Sequence, residues 1–167
     1  MIDAAKWLDH AFALAQPPAR GAPKQVDLRR SVSAAYYALF HRILALTADD
    51  LVGATHSKSS AYALVYRAFQ HNLMEARCSE CAKETMPART RQAIGLASFS
   101  PEIKEAAAAF VSLQSARHRA DYDPRGKVTL SDASDSCQTA RQAMRALANA
   151  PPGELKLFLL YLLFGAR

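Results

Sequence analysis

Apolar residues recur three and four positions apart along most of this chain, and no stretch alternates with the period of two that a half-buried strand requires. The first helix runs from an Asp3 N-cap to about residue 16, with Trp7, Leu8, Ala11, Phe12 and Ala15 at helical spacing. Pro17, Pro18, Gly21 and Pro23 end it. The second helix, residues 25–46, is the most regular: Leu28, Val32, Ala35, Tyr36, Leu39, Phe40, Ile43 and Leu44 make a wide apolar face. A third follows residues 56–60 and reaches about residue 77, carried by Tyr62, Val65, Tyr66, Phe69 and Leu73. Residues 78–97 are the least regular, with mixed charges, Pro87, Gly95 and room for a short helix near 88–96.

The fourth long helix starts at Ser100 as N-cap, with Pro101 at its first position and Glu102 near the positive end of its dipole. It stops before Pro124, which disfavours helical geometry at Asp123. Thr129 or Ser131 caps a fifth helix to about residue 148, with Ala133, Cys137, Ala140, Met144 and Leu147 inward. After Pro151, Pro152 and Gly153, residues 154–164 form a last helix that is apolar on nearly every side, as suits a central or interface element. The expected fold is all-α: one domain over residues 1–167, a bundle of four or five long antiparallel helices plus short ones, with 154–164 as an additional C-terminal helix.

Composition narrows the function classes. Half of the 167 residues are apolar and 22% are charged, the balance of an ordinary folded protein with a single core. The net charge of +6 favours an anionic partner without identifying one. Three cysteines, Cys78, Cys81 and Cys137, are an odd count that points to reduced thiols in a cytoplasmic protein. The start lacks the basic and apolar regions of a signal peptide, and the run 155–164 falls well short of the roughly 20 residues of a membrane span, so no membrane is expected. A single C-x-x-C pair, with His71 and Cys137 elsewhere, gives no zinc pattern, and no phosphate loop, H-E-x-x-H or G-x-S-x-G occurs. Neither a metal nor a cofactor is expected.

The candidate chemistry lies near the end of the fourth helix. Ile103, Phe110 and Leu113 share a stripe that Arg117 and Asp121 continue, so a charged pair stands where core residues are expected. Burying either charge alone costs several kcal/mol, roughly, so the pair must be satisfied internally, face a cleft or sit at an interface. On the second helix Ser33, Tyr37 and His41 fall four apart along one edge.

Two stretches read together, Arg29-Arg30-Ser31-Val32-Ser33-Ala34-Ala35-Tyr36-Tyr37-Ala38-Leu39-Phe40-His41 and Arg117-His118-Arg119-Ala120-Asp121-Tyr122-Asp123, resemble the HEPN superfamily. The likeness is to its small prokaryotic members with an AYYA-x-FH helix and a later R-x-x-ADYD segment. It implies a helical bundle that pairs as a homodimer across a cleft, in toxin–antitoxin or defence modules. Members are metal-independent ribonucleases, or non-catalytic proteins that accompany a nucleotidyltransferase or antitoxin partner. Ribonuclease members carry an Arg, a polar residue, and a His after four to six intervening residues. Here Tyr122, Asp123 and Pro124 stand where that His would fall.

Metal-independent RNA cleavage needs a base for the 2′-hydroxyl, a cation for the phosphate and an acid for the leaving oxygen. Arg117 suits the second task, with His118 or His41 as base or acid and Asp121 to orient or transfer protons. Arg119 would contact phosphate, while Tyr122 and Tyr37 offer a ring or a hydroxyl to RNA or a nucleotide. The alternative is a polar network that fixes helix packing in a non-catalytic interaction module, whose last helix binds a second copy or a partner.

Overall fold

A computed structural model describes residues 3–166; residues 1, 2 and 167 of the expected domain lie outside the described residues. Its spine is α2 (Gln25–Val52), and α1 (Ala4–Leu14), α6 (Pro101–Tyr122) and α7 (Leu130–Asn149) pack along it. Between α2 and α6 come a single 3₁₀ turn (Ala54–His56) and the shorter α3 (Ser60–Arg67), α4 (His71–Cys81) and α5 (Ala88–Ile94). The last helix is α8 (Pro152–Phe164). Among the described residues the architecture is an all-α bundle of eight α-helices with no strand.

Small side chains let the long helices approach closely. Ala35, Ala38, Ala106, Ala107, Ala140 and Ala143 are all fully buried, and Leu39, Ile43, Phe110, Leu113 and Leu147 fill the spaces between them. The caps follow the expected chemistry in part. Asp3 accepts the backbone N–H groups of Ala5 and Lys6, and Thr129 forms a reciprocal capping box with Asp132. Ser100 occupies the N-cap of α6, but its hydroxyl makes no hydrogen bond; its N–H instead donates to Glu154 Oε2 of α8 at 2.7 Å.

Two boundaries differ from the pattern reading by more than two residues. The second helix continues to Val52 rather than ending near residue 46, because Thr47 and Ala48 are buried and Thr47 returns its hydroxyl to Ile43 O at 2.9 Å. Burial thus overrides the turn preference of Thr-Ala-Asp-Asp, and the helix stops at Gly53, whose φ of +99° a side chain would strain. The third helix is two helices. Gln70 is extended between them, with φ −114° and ψ 125°. α3 ties itself to the C-terminal half of α2 through Tyr62 and Tyr66, whereas α4 buries Met74, Cys78 and Cys81 against α6 and α8. One straight helix could not serve both surfaces. Leu73, expected inward, is 43% exposed, and Met74 takes the core position.

The turn between α6 and α7 is held from α2. Arg29 donates to Ala120 O at 2.8 Å, to Asp123 O at 2.9 Å and to Gly126 O, placing a cation at the C-terminal end of α6. Gln25 exchanges two hydrogen bonds with the Val128 backbone. At the other end of the chain, α8 buries Phe158, Leu159, Tyr161 and Leu162, and Arg77 of α4 donates to Leu162 O and Leu163 O. The last helix therefore packs one face into the core. Among the described residues, no helix is long and apolar enough to cross a membrane.

Candidate functional site

The last two turns of α6 carry Arg117 and Asp121 beside the middle of α2, which supplies Ser33, Tyr36 and Tyr37. Arg117 Nε lies 2.7 Å from Asp121 Oδ2, an ion pair without the alignment of an N–H···O bond. Arg117 Nη2 donates to the Tyr37 hydroxyl at 3.1 Å, and Ser33 Oγ donates to Asp121 Oδ1 at 2.5 Å. The guanidinium carbon is 5.9, 5.6 and 5.4 Å from the ring centroids of Tyr36, Tyr37 and Tyr122. Burial opposes the charge of Arg117, but Tyr37 and Asp121 more than offset it, and its pKa stands above the ordinary arginine value. A guanidinium has five N–H donors in a planar fork, and these contacts leave donors over for an anion.

Arg117 forms one wall of a cleft of about 650 Å³ between α4 and α6, together with His71, Glu75, Gln114, His118 and Arg119. His118 and Arg119 are exposed at its rim, and His118 sits 5.0 Å from the Tyr122 ring, itself 62% exposed. Of the residues singled out in the sequence, Asp121, Tyr37 and Tyr122 each contact Arg117, and His118 and Arg119 share the cleft. His41 is directed elsewhere. Its Nδ1 lies 2.9 Å from the Tyr66 hydroxyl of α3, its ring stacks on Tyr66 and Tyr37, and burial followed by the charge of His71 lowers its pKa.

The pattern reading named His71 only beside the cysteines, as part of a metal pattern it rejected, and did not place it at this site. His71 opens α4, its Nδ1 is 2.6 Å from the Tyr36 hydroxyl, and its ring stacks on Phe40 at 4.3 Å. Tyr36 was readable only as a core residue, and its ring is fully buried, but its hydroxyl reaches the edge of the cleft through His71. The only sequence cue would have been a helix break near residue 70, and no proline or glycine marks it. Glu75 Oε2 accepts from Gln114 Nε2 at 2.9 Å and is the one carboxylate among the cleft-lining residues.

Cys78 and Cys81 are buried on the inner side of α4, where burial raises both thiol pKa values, and among the described residues no group of three or more His, Cys, Asp or Glu could hold a metal. A groove of about 720 Å³ between α1, α2 and α7 gathers Arg42, Arg141 and Arg145 around Leu8 and Met144. Asp3 and Asp49 also line it, Arg141 is laid on the Phe12 ring at 3.9 Å, and no histidine lines it. No protein-family model, curated protein or solved structure matches the chain.

Proposed function

We propose that this chain is an RNA-binding protein of the HEPN type, from a toxin–antitoxin or defence module, whose α4–α6 cleft holds the RNA backbone and carries the groups for metal-independent cleavage. The observation that carries the reading is the convergence of Arg117, His118, Arg119 and His71 on one open cleft, with Arg117 fixed in place by Tyr37 and Asp121. A phosphate in the cleft meets the charge of Arg117, with Arg119 at the rim, and the exposed Tyr122 ring offers a base a surface to stack on. For cleavage, a cleft histidine takes the 2′-hydroxyl proton, the oxygen attacks phosphorus, the P–O5′ bond breaks, and the 5′-oxygen takes a proton from an acid or water. Arg117 stabilises the charge that develops on the phosphate. The products are a 2′,3′-cyclic phosphate and a 5′-hydroxyl. A homodimer would double the cleft.

A second reading is favoured by one observation: Asp121 and Tyr37 already engage Arg117, as in a network whose task is to fix helix packing in a non-catalytic interaction module bound to a second copy, an antitoxin or a nucleotidyltransferase. The two readings part in one experiment, incubation of labelled single-stranded RNA and tRNA with purified protein in EDTA. Wild type is expected to give cyclic-phosphate ends, and Arg117→Ala and His118→Ala to lose at least ten- to a hundredfold in rate while keeping the wild-type circular dichroism. RNA bound but uncut removes the catalytic part of the proposal. RNA neither bound nor cut, with Arg117→Ala unfolding the protein, favours the packing network.

A further inference from the structure

We infer that His71 is a phosphate-contacting residue of the cleft, held by Tyr36 as the neutral imidazole whose proton sits on Nε2 and is donated to a backbone oxygen of the bound RNA. The inference rests on the RNA reading above for its ligand, but its structural half stands on the pair itself. Tyr36 is fully buried, and its hydroxyl has the His71 ring nitrogen as its hydrogen-bond partner, at 2.6 Å. A phenol is a stronger donor than acceptor, and a buried hydroxyl does not leave its proton unused. The proton is therefore directed at Nδ1, and the ring's own proton is on Nε2.

The ring cannot readily turn away from this arrangement. Phe40 stacks against it at 4.3 Å with the planes 20° apart, and the Tyr36 ring lies 6.0 Å off on another side. Ring and cleft are thus in fixed register, with Arg117 facing His71 across the same space. Burial and the charge of Arg117 both lower the His71 pKa, so the neutral donor persists at neutral pH. A second full cation beside Arg117 would also repel it, whereas a neutral N–H adds a donor to the phosphate site at no such cost. Glu75, one turn along α4, accepts from Gln114 of the facing helix.

Two measurements test this, one of them without RNA. In ¹⁵N-labelled protein at pH 7.5, the His71 ring nitrogens are expected to show the Nε2–H tautomer, and Tyr36→Phe to shift the ring toward a mixture of both tautomers. Binding of fluorescein-labelled single-stranded RNA is then compared across variants whose folding is checked by thermal melts. His71→Ala is expected to weaken binding about tenfold, and His71→Asn to behave like it. His71→Gln, whose amide N–H reaches the place of Nε2–H, is expected to stay within about threefold of wild type. An Nδ1–H tautomer in the wild type overturns the inference whatever RNA does. Wild-type affinity in His71→Ala, with binding still lost in Arg117→Ala, overturns it and leaves the RNA reading standing; no binding by wild type removes both.

Discussion

Arg29 does more for this fold than its place in a basic stretch suggests. Its guanidinium closes the C-terminal end of α6 on three carbonyls and so fixes the turn into α7. Hydrogen bonds from a charged donor are worth about 1.5–3 kcal/mol each and do not add fully, so Arg29→Ala should cost about 2–4 kcal/mol and lower Tm by roughly 5–15 °C. Thermal unfolding followed by circular dichroism reads this directly, and Arg29→Lys should recover only part of the loss, having one centre of charge in place of a fork. The same scale shows what a sequence can disclose. Arg117 and Asp121 were visible as charges on an apolar stripe, and their pairing follows from i,i+4 spacing on one helix. The place of His71 in the cleft was not visible, because its partner Tyr36 lies 35 residues away and a Tyr at helical spacing already has a sufficient explanation as core.

At the scale of elements, the apolar pattern located every long helix, and the turn residues located most of their ends. Where it failed, tertiary contact decided: burial carried α2 six residues past the expected end at 46, to Val52, and two packing surfaces divided the third helix into α3 and α4. That division places His71 at the start of α4 and gives the cleft its second wall. The last helix offers an element-scale test of packing against docking. Phe158 is fully buried between α8 and its neighbours, so Phe158→Ala should cost about 3–5 kcal/mol, measured by urea unfolding. Phe164, on the same helix, is 59% exposed, and Phe164→Ser should change stability by about 0.5 kcal/mol or less. Equal effects would mean that α8 is not packed as described.

For the whole molecule, two histidines couple stability to pH. His41 and His71 both have lowered pKa values in the folded protein, chiefly through burial, while the unfolded chain takes up protons near pH 6.5. Their neutral forms are fully present in both states above that pH, and as pH falls below it the unfolded state gains protons that the folded state resists. Stability contributed by these two sites is therefore lost on acidification from about pH 7 toward 5.5. Glu80 and Asp132, whose pKa values are also lowered, the first against its burial by Thr90 and Tyr161 and the second by Thr129, add their loss only at more acidic pH. Melts at pH 7.5 and 5.5 should show a smaller drop in Tm for His71→Gln than for wild type; an unchanged drop would contradict this assignment.

Arginines line both the α4–α6 cleft and the groove of Arg42, Arg141 and Arg145, and net charge alone does not choose between them. The proposed function takes the cleft, because it combines an oriented guanidinium with histidines and an exposed ring, whereas no histidine lines the groove. The measurement that tests this most directly is photocrosslinking of 4-thiouridine-substituted single-stranded RNA to the full chain in EDTA, with the adducts located by mass spectrometry. Adducts on the peptides carrying His71 and His118–Tyr122, lost in Arg117→Ala, are the predicted result. Adducts confined to the α1–α7 groove, or none above those on a non-binding control protein, would contradict it.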